Sequence, residues 1–172
     1  YLTGCVDDEV LMREDVQANI ETQRGCTLRC SYCIYHKDMP KISYADLDRV
    51  VAEVLYCVNK GAKDIRFTDA NFGSSPDWAK AVVRALIKHR VESTLMVELI
   101  PGFLDEELAD LFAEYNAMWD WSYIKVGVGV QTINRDVLLT VRRGIRLEKF
   151  DKTCELLTSR NIDAKVDIIV LL

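Results

Sequence analysis

The feature that most constrains this chain is an alternation between two residue periods, short apolar runs being separated by stretches whose apolar residues recur at helical spacing. Strands are predicted at Val16 to Glu21, Asp64 to Thr68, Ser93 to Leu99, Tyr123 to Val130 and Ala164 to Leu172. Helices are predicted between them. The first is capped by Ser43, with Asp46 three residues on, carries Leu47, Val50, Val51, Val54, Leu55 and Val58 inward, and stops at Gly61. The second opens on Ser75-Pro76 and buries Ala79, Val82, Val83, Leu86 and Ile87. A third follows Pro101-Gly102 with Leu104, Leu108, Leu111 and Phe112. A short one starts near Asn134, and a longer one near Leu147 turns Phe150, Cys154 and Leu157 inward. Strand-helix alternation predicts a parallel sheet with right-handed crossovers, so the fold class is α/β and its natural form a parallel (β/α) barrel or partial barrel of the TIM type.

About twenty residues between the first strand and the first helix have no period, which is unusual in a compact domain unless the segment has a task. This segment holds Cys26, Cys30 and Cys33 in the spacing CxxxCxxC. Three thiolates can hold a four-iron, four-sulfur cluster while leaving one iron open to chelate a small molecule. A structural zinc site is the alternative, with His36 as a fourth ligand, but such sites are commonly built from two short pairs and only one cluster of cysteines is present. A disulfide-bonded secreted module fits less well: no signal peptide is present, and three cysteines in eight residues cannot all pair with one another.

Parallel barrels collect their chemistry at the C-terminal ends of strands. There the first strand supplies the cysteines, the second Thr68, Asp69 and Asn71, the third Glu98, and the fourth Gln131 with Thr132 and Asn134 beyond it. Asp69 and Asn71 are also ordinary turn residues. Glu98 interrupts an apolar run, where an acid is costly to bury without a partner. Gly127 and Gly129 mark a strand closely approached by a backbone or a ligand. Arg142, Arg143 and Arg146 follow a predicted helix, where cations favour the helix dipole; one of them could instead pair with a carboxylate ligand.

With Tyr32 just before its last cysteine, the CxxxCxxC run resembles the signature of the radical S-adenosylmethionine (SAM) superfamily. The resemblance implies a radical SAM barrel core, ending here after about the fifth strand, with Cys26, Cys30 and Cys33 as ligands of a 4Fe-4S cluster. Its open iron is chelated by SAM, and an electron cleaves SAM to methionine and a 5′-deoxyadenosyl radical. It further implies cofactor contacts from Tyr32, near the adenine, and from Asp69, Glu98, Gln131 and Arg143, with one of Arg142, Arg143 and Arg146 able to meet the SAM carboxylate, and an external electron donor of flavodoxin or ferredoxin type. Tyr1-Leu2-Thr3-Gly4, Glu21 to Cys26, Asp69 to Phe72, and Gly129 to Asn134 with Leu138 and Arg143 resemble members that carry an N-terminal cobalamin-binding domain. On that resemblance residues 1–15 are a connector from such a domain, and 16–172 the N-terminal part of the barrel. One departure stands out: where many members have a glycine-glycine-glutamate run binding the SAM amino group, this chain has Thr68-Asp69-Ala70.

The activity implied is cobalamin-dependent methylation of a small molecule or peptide; the alternatives are cobalamin-dependent rearrangement or oxidation such as ring contraction, a cobalamin-independent RNA-modifying enzyme, and a non-enzymatic zinc module. Composition bears on these. Lys and Arg number 22 against 27 Asp and Glu, a net charge of −5, which disfavours nucleic acid as partner. No stretch approaches the roughly 18 apolar residues of a membrane span. Six cysteines without a secretory signal point to a reducing compartment, the cytoplasm, with Cys57 and Cys154 as core thiols. The last strand, followed by no helix, would leave an open edge, so the piece is expected to belong to something larger and to fold poorly alone.

Overall fold

The computed structural model describes residues 1–13, 15–35, 37, 39, 41–170 and 172. In chain order the elements begin with α1 (Asp8–Leu11), β1 (Ala18–Ile20), β2 (Gln23–Arg24), β3 (Ser43–Tyr44) and α2 (Leu47–Asn59). They continue with β4 (Asp64–Phe67), α3 (Pro76–Lys88), β5 (Thr94–Leu99), α4 (Glu106–Asn116) and β6 (Ile124–Gln131), and end with α5 (Arg135–Thr140), α6 (Leu147–Ser159) and β7 (Ala164–Ile168). The main sheet has the order β1-β4-β5-β6-β7, with every neighbouring pair parallel. Each strand lies beside the next in sequence and the order never reverses. That is the succession of barrel staves rather than of a doubly wound sheet with a switch point.

Period two gives the sheet two unlike faces. Ile65 and Phe67, Leu95, Val97 and Leu99, and Ile124, Val126, Val128 and Val130 are buried, and nearly all of them join a single core with the inward stripes of α2, α3, α4 and α6. Phe67, Phe72 and Phe112 tie that core together, the first two stacked at 5.5 Å and 14°. The alternate positions, Arg66, Met96, Glu98, Lys125, Gly127 and Gly129, lie on the opposite face. One face therefore folds the domain and the other is free for chemistry.

Helix starts follow local chemistry. Ser75 caps α3 ahead of Pro76, Asp105 accepts from Leu108 N at 2.9 Å to cap α4, and Asn134 caps α5. The first long helix corrects the sequence reading: its cap is Asp46, which accepts from Arg49 N at 3.0 Å, and not Ser43. Ser43 instead belongs to an antiparallel ladder in which Gln23 pairs with Tyr44 and Arg24 with Ser43. This ladder and the four-residue α1 carry no periodic signal, being too short for one. Two further expectations change at the end of the chain. Cys57 is fully buried but Cys154 only partly so, and β7 ends at Ile168 with Val166 40 % and Ile168 62 % exposed, because among the described residues no layer covers its outer side. Among the described residues, no helix is long and apolar enough to cross a membrane.

Candidate functional site

The cysteine loop has a built neck. Where β1 ends, Thr22 N and Gln23 N donate to Asp69 Oδ1 at 2.8 and 3.0 Å, and Thr22 Oγ1 donates to Oδ2 at 2.5 Å. Asp69 is 1 % exposed; burial pushes its carboxyl above the ordinary value, with these hydrogen bonds opposing. Gln23 Nε2 donates to Asn71 O, and Asn71 Oδ1 accepts from Ile100 N at 2.9 Å, binding the loops after β4 and β5 to the same neck. Gly25 closes it. At φ 101° its backbone is left-handed, and a Cβ there would stand 2.7 Å from Lys41 O.

Beyond the neck, Cys30 is buried and Cys26 and Cys33 partly buried, and all three are free thiols. The loop is fastened to the end of α5 by Ser31 N donating to Val141 O at 2.8 Å. Burial pushes the Cys26 thiol up, Cys30 and Cys33 add to that, and Arg143 works against it. His36, the candidate fourth zinc ligand, lies outside the described residues. Among those described, no three His, Cys, Asp or Glu side chains converge as on one metal ion. Cys26, Cys30 and Cys33 would supply three soft thiolate donors from one loop, the number that an iron-sulfur cluster with one open iron would take.

Arg143 joins the loop to β6. It is 8 % exposed, and its Nη1 donates to Cys30 Sγ at 3.5 Å and to Tyr32 Oη at 3.2 Å while Nη2 donates to Gly129 O. Its Nε is buried without a partner. The Tyr32 phenol is pushed up to about 12, chiefly by burial, with the Arg143 charge opposing. Gln131 ends β6 at φ 70°, beside an irregularity in its register with β7. A non-glycine residue held there is strained, and such strain is held only where the surroundings over-determine it. Gly129 is closely approached by two side-chain ends: a Cβ would stand 2.9 Å from Gln131 Nε2 and 3.1 Å from Arg143 Nη2, and both would have to shift.

Glu98 comes from β5. Its Oε1 pairs with Arg66 Nη2 at 2.6 Å, and its Oε2 lies over Gly127, 2.2 Å from where a Cβ would be. Burial pushes its carboxyl up, the Arg66 charge holds it down, and Asp167 on β7 adds to the rise.

These groups meet. Cys26, Cys30, Cys33, Tyr32, Asp69, Glu98, Gln131 and Arg143 all line one cavity of about 240 Å³. Asn71, Thr132 and Asn134 do not reach it, and Arg142 and Arg146 point to solvent. Sequence reasoning missed Tyr35, whose hydroxyl donates to Thr68 O at 3.4 Å, and the apolar walls Leu28, Leu99 and Ile100. It also missed Arg66. Tyr35 carried a weak signal as an aromatic two residues after Cys33; Arg66 carried none, because its partner is set by strand register.

Comparisons with known proteins bear on this site. A family model described as the radical SAM superfamily matches residues 20–172. The 2-(S-pantetheinyl)-carbapenam-3-carboxylate methyltransferase of Streptantibioticus cattleyicolor is 27% identical over 178 residues, covering 99% of this chain and 26% of that protein. The cobalamin-dependent radical SAM methyltransferase TokK of Streptomyces tokunonensis is 24% identical over 99% of this chain and 26% of its own length. The chain thus spans about a quarter of these curated relatives. A solved structure of TsrM from Kitasatospora setae, a radical S-adenosylmethionine methyltransferase with cobalamin and a 4Fe-4S cluster bound, superposes with a TM-score of 0.76. It is 26% identical and covers 88% of this chain and 30% of that one. With the family model running from β1 to the last residue over the loop, rim and sheet just described, the chain belongs to the radical SAM superfamily.

Proposed function

We propose that this chain is the cluster-carrying part of a cobalamin-dependent radical SAM methyltransferase that acts on a small molecule or peptide. When bound, a 4Fe-4S cluster with an open iron supplies the reductive cleavage of SAM to a 5′-deoxyadenosyl radical, and cobalamin, held mainly by a domain joined through residues 1–15, supplies methyl-transfer chemistry. The observation that carries this reading is the convergence of three free thiols, a buried guanidinium and two polar strand ends on one cavity. The methyltransferase names of the relatives support the methyl-transfer half.

On this reading Cys26, Cys30 and Cys33 would hold the cluster. Asp69 is a positioning residue, since both its oxygens are taken by Thr22 and Gln23, and it sets the direction in which the loop leaves β1. Glu98 and Gln131 offer a carboxylate and an amide to SAM from neighbouring strands, and Tyr32 lends its ring at the mouth. Leu28, Leu99 and Ile100 keep water from the reactive centre. The electron enters from a one-electron donor of flavodoxin or ferredoxin type.

The test is anaerobic iron and sulfide reconstitution of the full-length protein, followed by electron paramagnetic resonance of the reduced cluster with and without SAM, and incorporation of a labelled SAM methyl group into product. A signal that changes with SAM, together with label in product, supports both halves. A cluster signal without label in product removes the methyl transfer, and zinc retained in place of iron removes the enzyme.

A further inference from the structure

We propose that Arg66, which does not itself line the cavity, is a positioning residue for SAM: it holds the carboxylate of Glu98 so that one oxygen is engaged and the other is left for the ligand. This rests on the reading above, in which Glu98 meets SAM. Strand register makes the pair. β4 and β5 align Arg66 with Met96, so Glu98 stands two residues further along the same face of the sheet, within diagonal reach of the guanidinium. Arg66 Nη2 donates to Glu98 Oε1 at 2.6 Å. Among the described residues Glu98 Oε2 accepts no hydrogen bond, and Glu98 lines the cavity with Asp69, whose two oxygens are both taken by the neck.

The strand on the other side is shaped to the same end. Gly127 of β6 lies directly opposite Glu98, and a Cβ there would stand 2.2 Å from Oε2 and 2.8 Å from the carboxyl carbon. Glycine inside a strand weakens it, having no side chain to pack. The ion pair returns little stability for that, because the Arg66 and Glu98 side chains are 43 % and 23 % exposed and their attraction is screened. A pair kept only for stability needs no glycine cut beneath it; a carboxylate kept open toward a ligand does. The other charges around Glu98 leave this task to Arg66. Asp167 and Lys165 face it from β7 with opposite signs, Lys125 of β6 is turned over the Tyr123 ring at 5.1 Å, and Arg143 is engaged by Cys30, Tyr32 and Gly129. Burial favours the neutral acid at Glu98, and the Arg66 charge opposes that. SAM carries an ammonium and a sulfonium, which an ionised carboxylate attracts far more strongly than a neutral acid does. Without Arg66, Glu98 keeps its proton to a higher pH and loses its fixed direction, so SAM affinity falls on the acid side and recovers as pH rises.

The experiment uses the reconstituted full-length protein and reads the affinity for labelled SAM by equilibrium dialysis between about pH 5.5 and about pH 8.5, together with iron content. In Arg66→Met the acid-side loss of affinity is expected to set in about one pH unit higher than in the wild type, a weakening of up to about tenfold that closes as pH rises. Arg66→Lys, which keeps the charge, restores most of it. Glu98→Gln is expected to bind SAM more weakly and without that acid-side loss. Adding Arg66→Met to it changes affinity by less than about twofold, since Arg66 acts only through Glu98. An equal loss from Arg66→Met in both backgrounds would overturn the inference, and so would a wild-type pH profile in Arg66→Met. If Arg66→Met takes up no iron, Arg66→Gln, which keeps a donor and loses the charge, decides by the same comparison. Glu98→Gln binding SAM at wild-type strength removes the contact on which the proposal stands. Absence of a cluster from the wild-type protein removes the reading beneath it, an outcome distinct from any of these.

Discussion

At the N-terminal end of the sheet buried polar groups are matched almost one to one, and at the C-terminal end they are not. Below, Tyr115 Oη donates to Ser93 O at 2.6 Å, Trp119 Nε1 to Val91 O at 3.1 Å and Ser93 Oγ to Lys63 O at 2.9 Å, while Asn116 Oδ1 accepts from Ile124 N at 2.7 Å. Above, Gln23 Oε1, Asn71 Nδ2, Ser74 Oγ and Arg143 Nε are buried without partners. Among the described residues only one such atom, Ser122 Oγ, lies at the lower end. Left-handed non-glycine residues do not divide this way: Gln131 and Arg142 lie at the upper end, and Arg90 and Asn161, ahead of β5 and β7, at the lower. Unsatisfied groups are what a folding optimum would remove, so their gathering on one rim separates the part kept for stability from the part kept for chemistry.

The sharpest break of this contrast is Cys30→Ala. It is expected to abolish cluster formation and SAM cleavage while the far-ultraviolet circular dichroism of the full-length protein stays unchanged; loss of the fold in parallel would make the loop structural. Gly25→Ala comes next. Its Cβ meets backbone at Lys41 O rather than a movable side chain, and the left-handed φ adds strain, so a loss of about 1–3 kcal/mol in denaturant unfolding is expected together with reduced iron content. Full iron content in that variant would show that the neck does not hold the loop. At the other rim, Tyr115→Phe strips the donor from Ser93 O, and should cost about 1–2 kcal/mol of stability with iron content and SAM cleavage intact. A fall in cleavage there would erase the division between the two ends.

How far the sequence could be read follows from the range of the forces involved. The sheet was legible because covering one face demands period two, and the helices because their inward stripes demand 3.6. Ser43 and Asp46 were not separable as caps: both are good ones, and the choice was made by pairing with Gln23 and Arg24, some twenty residues away. The rim residues Glu98 and Gln131 could be picked because a polar group ending an apolar strand is conspicuous. Arg66 could not, since an arginine at an alternate strand position looks solvated until register places Glu98 diagonally across from it. Arg143 was one of three equivalent arginines until the left-handed turn at Arg142 buried it.

The smallest expected effect bears on Asp69, where the two ends of the molecule come closest in character: it is fully bonded, as below, yet sits above. Burial raises its carboxyl, Glu21 adds to the rise, and the bonds from Thr22 and Gln23 offset part of it. With the folded value above the ordinary 3.8, the native state holds the proton more tightly than the unfolded chain does. The associated stability is present below that ordinary value and is lost as pH rises through the folded one, after which the ionised group costs stability. Asp69→Asn keeps an acceptor for Thr22 N and Gln23 N and cannot ionise. The stability of the wild type relative to this variant should therefore fall as pH rises from the ordinary carboxylate value through the raised folded one, read from denaturant midpoints at each pH. A difference that rises instead would mean that the three hydrogen bonds outweigh burial. The neck would then be built by the rule of the lower rim, and the boundary between fold and chemistry would move up to the cysteines themselves.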